Sequence, residues 1–187
     1  MLKTEIRKKF KSKRKTLSVE EKLILSKRIA EVAANNFDIS EKVVSVFLPI
    51  ERLNEVDSTF LIQHLNQVGS TVCTPVSDFQ SLELRHVVHN EKTILKNNEW
   101  GIPEPTNGEE IQSENINVVF VPLLITNAEG YRVGYGKGFY DRFLSKCEES
   151  TIFIGLNYFD EFVSIENIDS NDVPLHFLVT PNKVIAF

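Results

Sequence analysis

Residues 43–75, VVSVFLPIERLNEVDSTFLIQHLNQVGSTVCTP, contain the strand–helix–strand pattern that decides the fold of this chain. Val43–Leu48 is almost continuously apolar, which is typical of a strand covered on both faces. Apolar residues then recur at helical spacing and predict a helix over residues 57–68. Thr71–Thr74 is predicted as the next strand, ended by Pro75. A helix joins the two strands, so they should run in parallel with a right-handed crossover.

Further helices and strands are predicted on both sides of this unit. Upstream, helices are predicted over Leu2–Thr16 and Ser18–Asn36, and Ser18 with Glu21 forms a capping box at the start of the second. Lys92–Ser113 shows no periodicity and is predicted as a long loop. The other predicted elements are strands at Glu83–Val88, Asn117–Val121, Ile152–Leu156, Phe177–Val179 and Lys183–Phe187, and a helix at Gly138–Lys146.

These elements predict one α/β domain over residues 1–187. A mostly parallel sheet should lie between helices in three α/β/α layers, with two N-terminal helices before the first strand. Three of the predicted strands end at a proline, namely Pro49, Pro75 and Pro122. Ligands of such sheets bind beyond the carboxyl ends of the strands. We therefore expect functional residues in the segments that follow these prolines.

The composition is that of an ordinary folded domain. Of 187 residues, 42% are hydrophobic and 25% are charged. No apolar run approaches the roughly 20 residues that cross a bilayer, and the basic N-terminus lacks the apolar core of a signal peptide. Cys73 and Cys147 have neither CxxC nor metal-ligand spacing. We therefore expect reduced thiols and a cytoplasmic protein.

Charge is distributed unevenly along the chain. Residues 1–15 hold eight Lys or Arg and one Glu, so this segment carries +7 while the whole chain carries −5. The remainder therefore carries −12. A basic arm on an acidic body indicates an anionic partner, which can be a nucleic acid, a membrane surface or a phosphorylated ligand. The alternative is a helix whose charged face is simply solvated.

The segment most informative about function is GYRVGYGKGFYDR, residues 130–142, which runs from a strand into a helix. Gly134, Gly136 and Gly138 alternate with larger residues, so backbone N–H groups can line up against phosphate oxygens at a helix N-terminus. Arg132 and Lys137 add positive charge. The segment is neither GxxxxGK[ST] nor GxGxxG. A tight turn without a ligand is the alternative, but three glycines with two cations favour a phosphate site.

Residues beside these glycines have two interpretations each. Asp141, in the first turn of the predicted helix, can cap that helix or hold Mg²⁺ beside phosphates. Phe139 and Tyr140 can be core residues or can form a wall against a flat ring. The four histidines are scattered and show no metal spacing.

The segment Tyr131–Arg142 resembles the signature of 5-formyltetrahydrofolate cyclo-ligases, also called methenyltetrahydrofolate synthetases. Four shorter landmarks agree in order along nearly the whole chain. They are Lys3 with Arg7, Asn54–Ser58, Trp100–Pro105 and Asn171–Leu175. Each short landmark is weak by itself, whereas the ordered set with the long glycine segment is specific.

The resemblance implies ATP as co-substrate, Mg²⁺ as cofactor, and a role for each matching residue. ATP would be bound by Lys3, Arg7, Arg132, Val133, Gly134, Tyr135, Gly136, Lys137, Gly138, Phe139 and Tyr140, with Arg132 and Lys137 also catalytic. The folate would be bound by Leu48, Ile50, Glu55, Trp100, Tyr135, Lys137, Phe139 and Tyr140. Asp141 and Asp172 would bind Mg²⁺.

Several of these assignments have alternatives. Taken alone, Asp172 is a turn residue and Glu55 is a charge near a helix start. The loop from Leu48 to Glu55 is a couple of residues longer than in many relatives, which leaves the contact of Leu48 and Ile50 with the pterin open. Trp100 can stack on the pterin or on adenine.

The implied reaction is the ATP-dependent closure of 5-formyltetrahydrofolate to 5,10-methenyltetrahydrofolate, with release of ADP and phosphate. The implied partners are these two small molecules, with no nucleic acid, no membrane and a monomeric chain. An RNA-binding or regulatory protein is the alternative that the basic N-terminus suggests, although the acidic body and the lack of an RNP-type aromatic motif oppose it. A generic nucleotide-dependent kinase is opposed by the missing Walker motif.

Overall fold

The computed structural model describes residues 1–187 and contains four α-helices and twelve β-strands. The helices are α1 (Lys3–Lys15), α2 (Val19–Asn36), α3 (Thr59–Gln67) and α4 (Phe139–Leu144). The strands are β1 (Val43–Val46), β2 (Thr71–Asp78), β3 (Glu83–Val88), β4 (Leu95–Asn97), β5 (Pro103–Pro105), β6 (Glu110–Ile111), β7 (Val118–Pro122), β8 (Ile125–Thr126), β9 (Arg132–Val133), β10 (Ile152–Leu156), β11 (Phe177–Val179) and β12 (Val184–Ala186).

Eight of the strands form one sheet in the order β12-β11-β10-β7-β1-β2-β3-β6. The five strands from β11 to β2 are parallel to their neighbours, while β12, β3 and β6 pair in antiparallel fashion. The predicted mostly parallel sheet is therefore confirmed. Two short hairpins, β4–β5 and β8–β9, lie outside the sheet.

Alternation along the central strands creates a core on each face of the sheet. On β7, Val118 and Phe120 join the core that includes residues of α2 and α3, whereas Val119 and Val121 join the core that includes residues of α4. Each fully buried side chain of this kind stabilises the fold by about 1.5–3 kcal/mol. Helices thus cover both faces, as the three-layer prediction requires. No helix of the structure combines the length and apolarity needed to span a membrane.

Helix α1 packs against the β8–β9 hairpin through a short apolar stripe. Ile6 and Phe10 are fully buried there with Leu124, Ile125 and Val133. Leu2 was predicted to begin this helix, but it precedes Lys3 as the N-cap residue and is 46% exposed. The capping box at the start of α2 is present as predicted.

Two predictions about the region after the crossover helix are wrong. Pro75 does not end β2, which continues to Asp78. Val72 O accepts a hydrogen bond from His89 N, so every second residue of β2, counted from Val72, directs its backbone N–H and C=O groups toward β3. Pro75 falls between these residues, and its nitrogen therefore faces β1. The register with β1 stops at Cys73, so no ladder bond is lost at Pro75. Lys92–Ser113 is also not one loop, because it contains β4, β5 and β6.

Candidate active site

A cavity of about 470 Å³ opens at the carboxyl ends of β1 and β7, bordered by the middle of β2. Residues next to all three prolines of the sequence analysis border it: Leu48 and Ile50 flank Pro49, and Pro75 and Pro122 line it themselves. It also brings together the residues that the family resemblance selected. Those that line it are Lys3, Arg7, Leu48, Ile50, Glu55, Trp100, Arg132, Gly134, Tyr135, Gly136, Lys137, Gly138, Phe139, Tyr140, Asp141 and Asp172. The exception is Val133, which is fully buried beneath the glycine segment.

The glycine segment passes from β9 to α4 along one wall of the cavity. Gly136 and Gly138 have φ angles of +94° and +71°, which side chains rarely adopt. Two arginines hold carbonyl oxygens of the segment: Arg7 Nε donates to Gly134 O at 2.9 Å, and Arg142 Nη1 donates to Lys137 O at 3.0 Å. The N–H groups of residues 134–138 donate no hydrogen bond within the protein. Five consecutive free N–H groups are suited to an anion.

Lys3 and Arg7 reach the cavity from one face of α1, as their i, i+4 spacing predicts. Lys3 Nζ pairs with Asp172, and both side chains are mostly buried. The Lys3 N–H group donates to Asn167 Oδ1 at 2.9 Å, which ties the start of α1 to the segment before Asp172. The Arg7 guanidinium lies 3.0 Å from where a Cβ at Gly136 would be. Lys3 therefore lies beside residues 167–173, which are called the late loop below, and Arg7 lies beside the glycine segment.

Arg132 is a buried residue of the cavity wall. Its side chain is only 5% exposed and its Nη2 donates to Asp141 Oδ1 at 2.7 Å. Nη1 donates to Val173 O, and Val173 N in turn donates to Asp141 Oδ1 at 3.1 Å. Burial lowers the pKa of Arg132, while Asp141 acts in the opposite direction. Asp141 therefore joins the glycine segment to the late loop and does not cap α4, whose N-cap is Gly138.

Asp141 and Asp172 fit a magnesium ion that arrives with phosphates. Each carboxylate has one oxygen engaged: Asp141 Oδ1 by Arg132 and Val173, and Asp172 Oδ2 by Lys3 and Asp169 N. No hydrogen bond within the protein occupies the other oxygen of either residue. No group of three or more His, Cys, Asp or Glu forms a site for a metal by itself. One or two carboxylates completed by phosphate oxygens and waters is how Mg²⁺ is usually held.

Glu55 lies in the cavity wall but is almost out of water, with 7% of its surface exposed. Burial raises the pKa of its carboxyl, and hydrogen bonding from Ile50 N opposes that rise. Oε2 accepts this hydrogen bond at 2.8 Å. A buried carboxylate of this kind is not the solvated helix-start charge that its sequence position alone suggested.

Aromatic rings form a second wall of the cavity. Trp100, at the tip of the β4–β5 hairpin, is 50% exposed and stacks on Phe79 with ring centroids 5.1 Å apart. Phe79 in turn meets Phe139 edge-on at 5.2 Å. Arg52 fixes the hairpin tip by donating to Trp100 O at 2.8 Å. Rings at such spacing offer a flat apolar surface to a planar ligand.

Some residues of the cavity were not found from the sequence. Lys11 lies eight residues after Lys3, so continuing the helical period would have found it. Phe79 and Arg52 could not be assigned to the cavity from the sequence, because neither belongs to a motif and each lies in a turn that only the fold brings there. Tyr140, which the sequence did select, lines the cavity, and its buried hydroxyl has no hydrogen-bond partner within the protein.

The charges around the cavity favour an anionic ligand. Six cationic side chains line it against three carboxylates, although the whole chain carries −5. The cations are Lys3, Arg7, Lys11, Arg52, Arg132 and Lys137. Together with the free N–H groups of residues 134–138, they can bind phosphates, while the aromatic wall can hold a planar ring.

Comparison with known proteins agrees with the family resemblance of the sequence. Residues 1–181 match the 5-formyltetrahydrofolate cyclo-ligase family. The 5-formyltetrahydrofolate cyclo-ligase of Escherichia coli is 30% identical over 145 residues, covering 75% of this chain and 79% of that protein. The Mus musculus protein of the same name is 29% identical over 150 residues, covering 76% and 73%.

A solved structure extends this similarity to the whole chain. The NMR structure of Aquifex aeolicus 5,10-methenyltetrahydrofolate synthetase has a TM-score of 0.82 and 31% identity, covering 100% of this chain and 93% of that one. The fold is shared end to end, and the family match covers all of the residues that line the cavity. This chain therefore belongs to the 5-formyltetrahydrofolate cyclo-ligase family and is an enzyme.

Proposed function

We propose that this chain closes 5-formyltetrahydrofolate to 5,10-methenyltetrahydrofolate at the expense of Mg-ATP, releasing ADP and phosphate. One observation carries the proposal. Five free backbone N–H groups and the side chains of Lys3, Arg7 and Lys137 border a cavity whose second wall is aromatic. A phosphorylated co-substrate and a planar pterin need these two kinds of surface.

The chemistry needs two displacements. In the first, the formyl oxygen attacks the γ-phosphorus of ATP, and the bond from that phosphorus to the bridging oxygen breaks to release ADP. In the second, N10 of the folate attacks the formyl carbon and loses its proton, and phosphate leaves with the former formyl oxygen. Neither displacement needs a nucleophilic side chain. The protein must align the formyl oxygen with the γ-phosphate and stabilise charge on the phosphate oxygens.

The residues divide this work between them. Lys3, Arg7 and Lys137 place positive charges at the cavity, where they can stabilise the phosphate oxygens, and Arg132 keeps Asp141 in place. Asp141 and Asp172 would hold Mg²⁺, which when bound supplies positive charge to the phosphates. Glu55, Leu48 and Ile50 would contact the folate, with Phe139, Tyr140 and Trp100 flanking its ring.

The same proposal assigns a small anionic ligand, and not a nucleic acid, to the cavity side of the basic helix. Three cations of α1, Lys3, Arg7 and Lys11, border the cavity instead of an open surface. A small anionic ligand fits this arrangement better than a duplex or a strand does. We propose a monomeric cytoplasmic enzyme whose partners are ATP and the folate.

The deciding experiment is to mix the purified chain with 5-formyltetrahydrofolate and Mg-ATP and to record the absorbance of the methenyl product. ADP should appear in a one-to-one ratio with that product. ADP formed without the folate would indicate an ATPase or kinase, and the absence of both products would contradict the proposal.

A further inference from the structure

Arg14 is a buried arginine that the proposed reaction does not use. It is among the largest side chains that are fully buried, with 1% of its surface exposed, and it does not line the cavity. It forms no ion pair with a carboxylate, and its Nε has no hydrogen-bond partner. A buried charge without a direct counterion is expensive, so a packing role alone would favour an apolar side chain at this position.

The hydrogen bonds of Arg14 lead toward the cavity. Nη2 donates to Leu123 O, just after β7, and Nη1 donates to the Tyr135 hydroxyl oxygen at 2.9 Å. The Tyr135 hydroxyl also lies near the Glu55 carboxylate, although no hydrogen bond joins the two in the protein without ligand. Because Arg14 occupies a lone pair of the Tyr135 oxygen, the remaining O–H of Tyr135 is free to point at Glu55.

A second contact joins Arg14 to the same residue. Its guanidinium carbon lies 5.8 Å from the ring centre of Tyr158, and Tyr158 Oη donates to the backbone O of Glu55 at 2.7 Å. Arg14 therefore holds two tyrosines that meet Glu55 from different sides. In the Glu55 carboxylate, Oε2 accepts a hydrogen bond from Ile50 N, whereas Oε1 has no hydrogen bond within the protein.

We infer that Arg14, acting through Tyr135 and Tyr158, is a positioning residue that holds the Glu55 carboxylate toward N–H donors of the bound folate. Only the part of the inference that concerns the bound folate rests on the proposed function. The coupling between Arg14 and Glu55 is a property of the protein without ligand. The pyrimidine ring of a pterin carries such donors on its 2-amino group and ring nitrogen. An ionised carboxylate accepts from them, whereas a protonated one would place its own hydrogen there.

Other charged or titratable groups around Glu55 do not replace Arg14. Arg52 lies on the neighbouring turn but is exposed and bound to Trp100 O, so water screens its charge. Tyr135, Tyr140 and Tyr158 are neutral phenols whose pKa values burial raises, so they supply no charge. Burial by itself raises the pKa of Glu55, and Arg14 is the foremost charge that opposes this rise.

The first test needs no folate. The Glu55 carboxyl is titrated by ¹³C NMR in the wild type, in Arg14→Met and in Tyr135→Phe. We expect its pKa to be higher in both variants than in the wild type, because the first removes the charge and the second removes the hydroxyl that links it. Lys15→Met removes an exposed charge on the same helix and should leave the titration unchanged. An unchanged pKa in Tyr135→Phe would overturn the inference even if Arg14→Met fails to fold.

The second test measures binding of 5-formyltetrahydrofolate by calorimetry from pH 5.5 to pH 8.5. Arg14→Met should bind about tenfold more weakly than the wild type at pH 6 and within about threefold of it at pH 8.5. In a Glu55→Gln background, Arg14→Met should cause no further pH-dependent loss. A loss that is equal at every pH would show a structural role and overturn the inference. Failure of the wild type to bind the folate would contradict the proposed function and leave the first test to decide the coupling.

Discussion

At the scale of single residues, Gly136 has two reasons to be a glycine. Its φ of +94° disfavours any side chain, and a Cβ there would lie 3.0 Å from the Arg7 guanidinium. Gly134 has neither constraint, since nothing lies within 4 Å of a Cβ at that position. The two glycines of one segment therefore make a matched pair for substitution.

We predict that Gly136→Val reduces ATP binding more than Lys137→Ala does. Lys137→Ala removes one charge-assisted contact and should cost about 1.5–3 kcal/mol of ATP binding, whereas Gly136→Val distorts the backbone and displaces Arg7. Gly134→Ala is the control and should bind nearly as the wild type does. Calorimetric titration with Mg-ATP measures the three variants, and equal affinity of Gly136→Val and Gly134→Ala would refute this prediction.

A second prediction at this scale concerns the free energy of unfolding, which the buried, ionised Glu55 carboxylate lowers. Its pKa is raised by burial, so the folded state disfavours the ionised form above that pKa, and the penalty disappears as pH falls toward the pKa of the unfolded chain. Glu55→Gln should therefore be more stable than the wild type at pH 8, with the difference shrinking toward pH 4.5. Urea unfolding at several pH values measures this, and a difference that grows on acidification would contradict it.

At the scale of elements, β3 and α4 meet through a close contact between two tilted rings. His86 is 2% exposed, and its ring centroid lies 4.2 Å from that of Phe143. Burial lowers the pKa of His86 from 6.5 to about 3. The unfolded chain therefore binds a proton below pH 6.5 that the folded chain does not, and stability falls as pH decreases below that value.

We predict that His86→Phe keeps the ring contact with Phe143 and removes this acid sensitivity. Between pH 6.5 and 4.5, the free energy of unfolding of the wild type should decline more steeply than that of the variant, by about 1.4 kcal/mol per pH unit. The lowered pKa values of His89 and His176 affect both proteins alike. Denaturant unfolding along a pH series is the measurement, and parallel declines would show that His86 does not carry the effect.

At the scale of the whole molecule, two ion pairs border the cavity, and one of them joins the two ends of the chain. Lys3 pairs with Asp172, 169 residues away, and Arg132 pairs with Asp141. Each pair couples a cation proposed to bind phosphate with a carboxylate proposed to bind Mg²⁺. When Mg-ATP binds, the phosphates and the metal can satisfy both members of a pair together, whereas ATP without metal leaves the carboxylates close to its own charge.

We therefore predict that Asp172→Asn and Asp141→Asn both change the binding of Mg-ATP and of metal-free ATP in opposite directions. Each variant should bind Mg-ATP about tenfold more weakly than the wild type and metal-free ATP more tightly, because the cation is no longer neutralised. Turnover should fall sharply and recover partly at higher magnesium. Asp38→Asn removes a charge on an exposed loop, where the Asp38 carboxylate accepts hydrogen bonds only from Ser40, and serves as the control. Full activity of both variants at low magnesium would remove Asp141 and Asp172 from the metal site.

The sequence by itself determined the features that depend on local periodicity. Apolar runs marked the strands, as at Ile152–Leu156 and Phe177–Val179, whose bounds agree with the structure. The i, i+4 spacing of Lys3 and Arg7 put both on one helix face, and the glycine segment identified the family. Such signals survive in one sequence because they involve neighbours within a few residues.

Only the tertiary structure decided which distant residues meet. The pairing of Lys3 with Asp172, the stacking of Trp100 on Phe79 and the hydrogen bond from Arg14 to Tyr135 left no trace in spacing or composition. Pro75 looked like a strand end and lies inside β2, because the neighbouring strand stops before it. Contacts of this kind depend on how elements pack, and packing sets the partner, the burial and the pKa of a side chain that the chain itself leaves open.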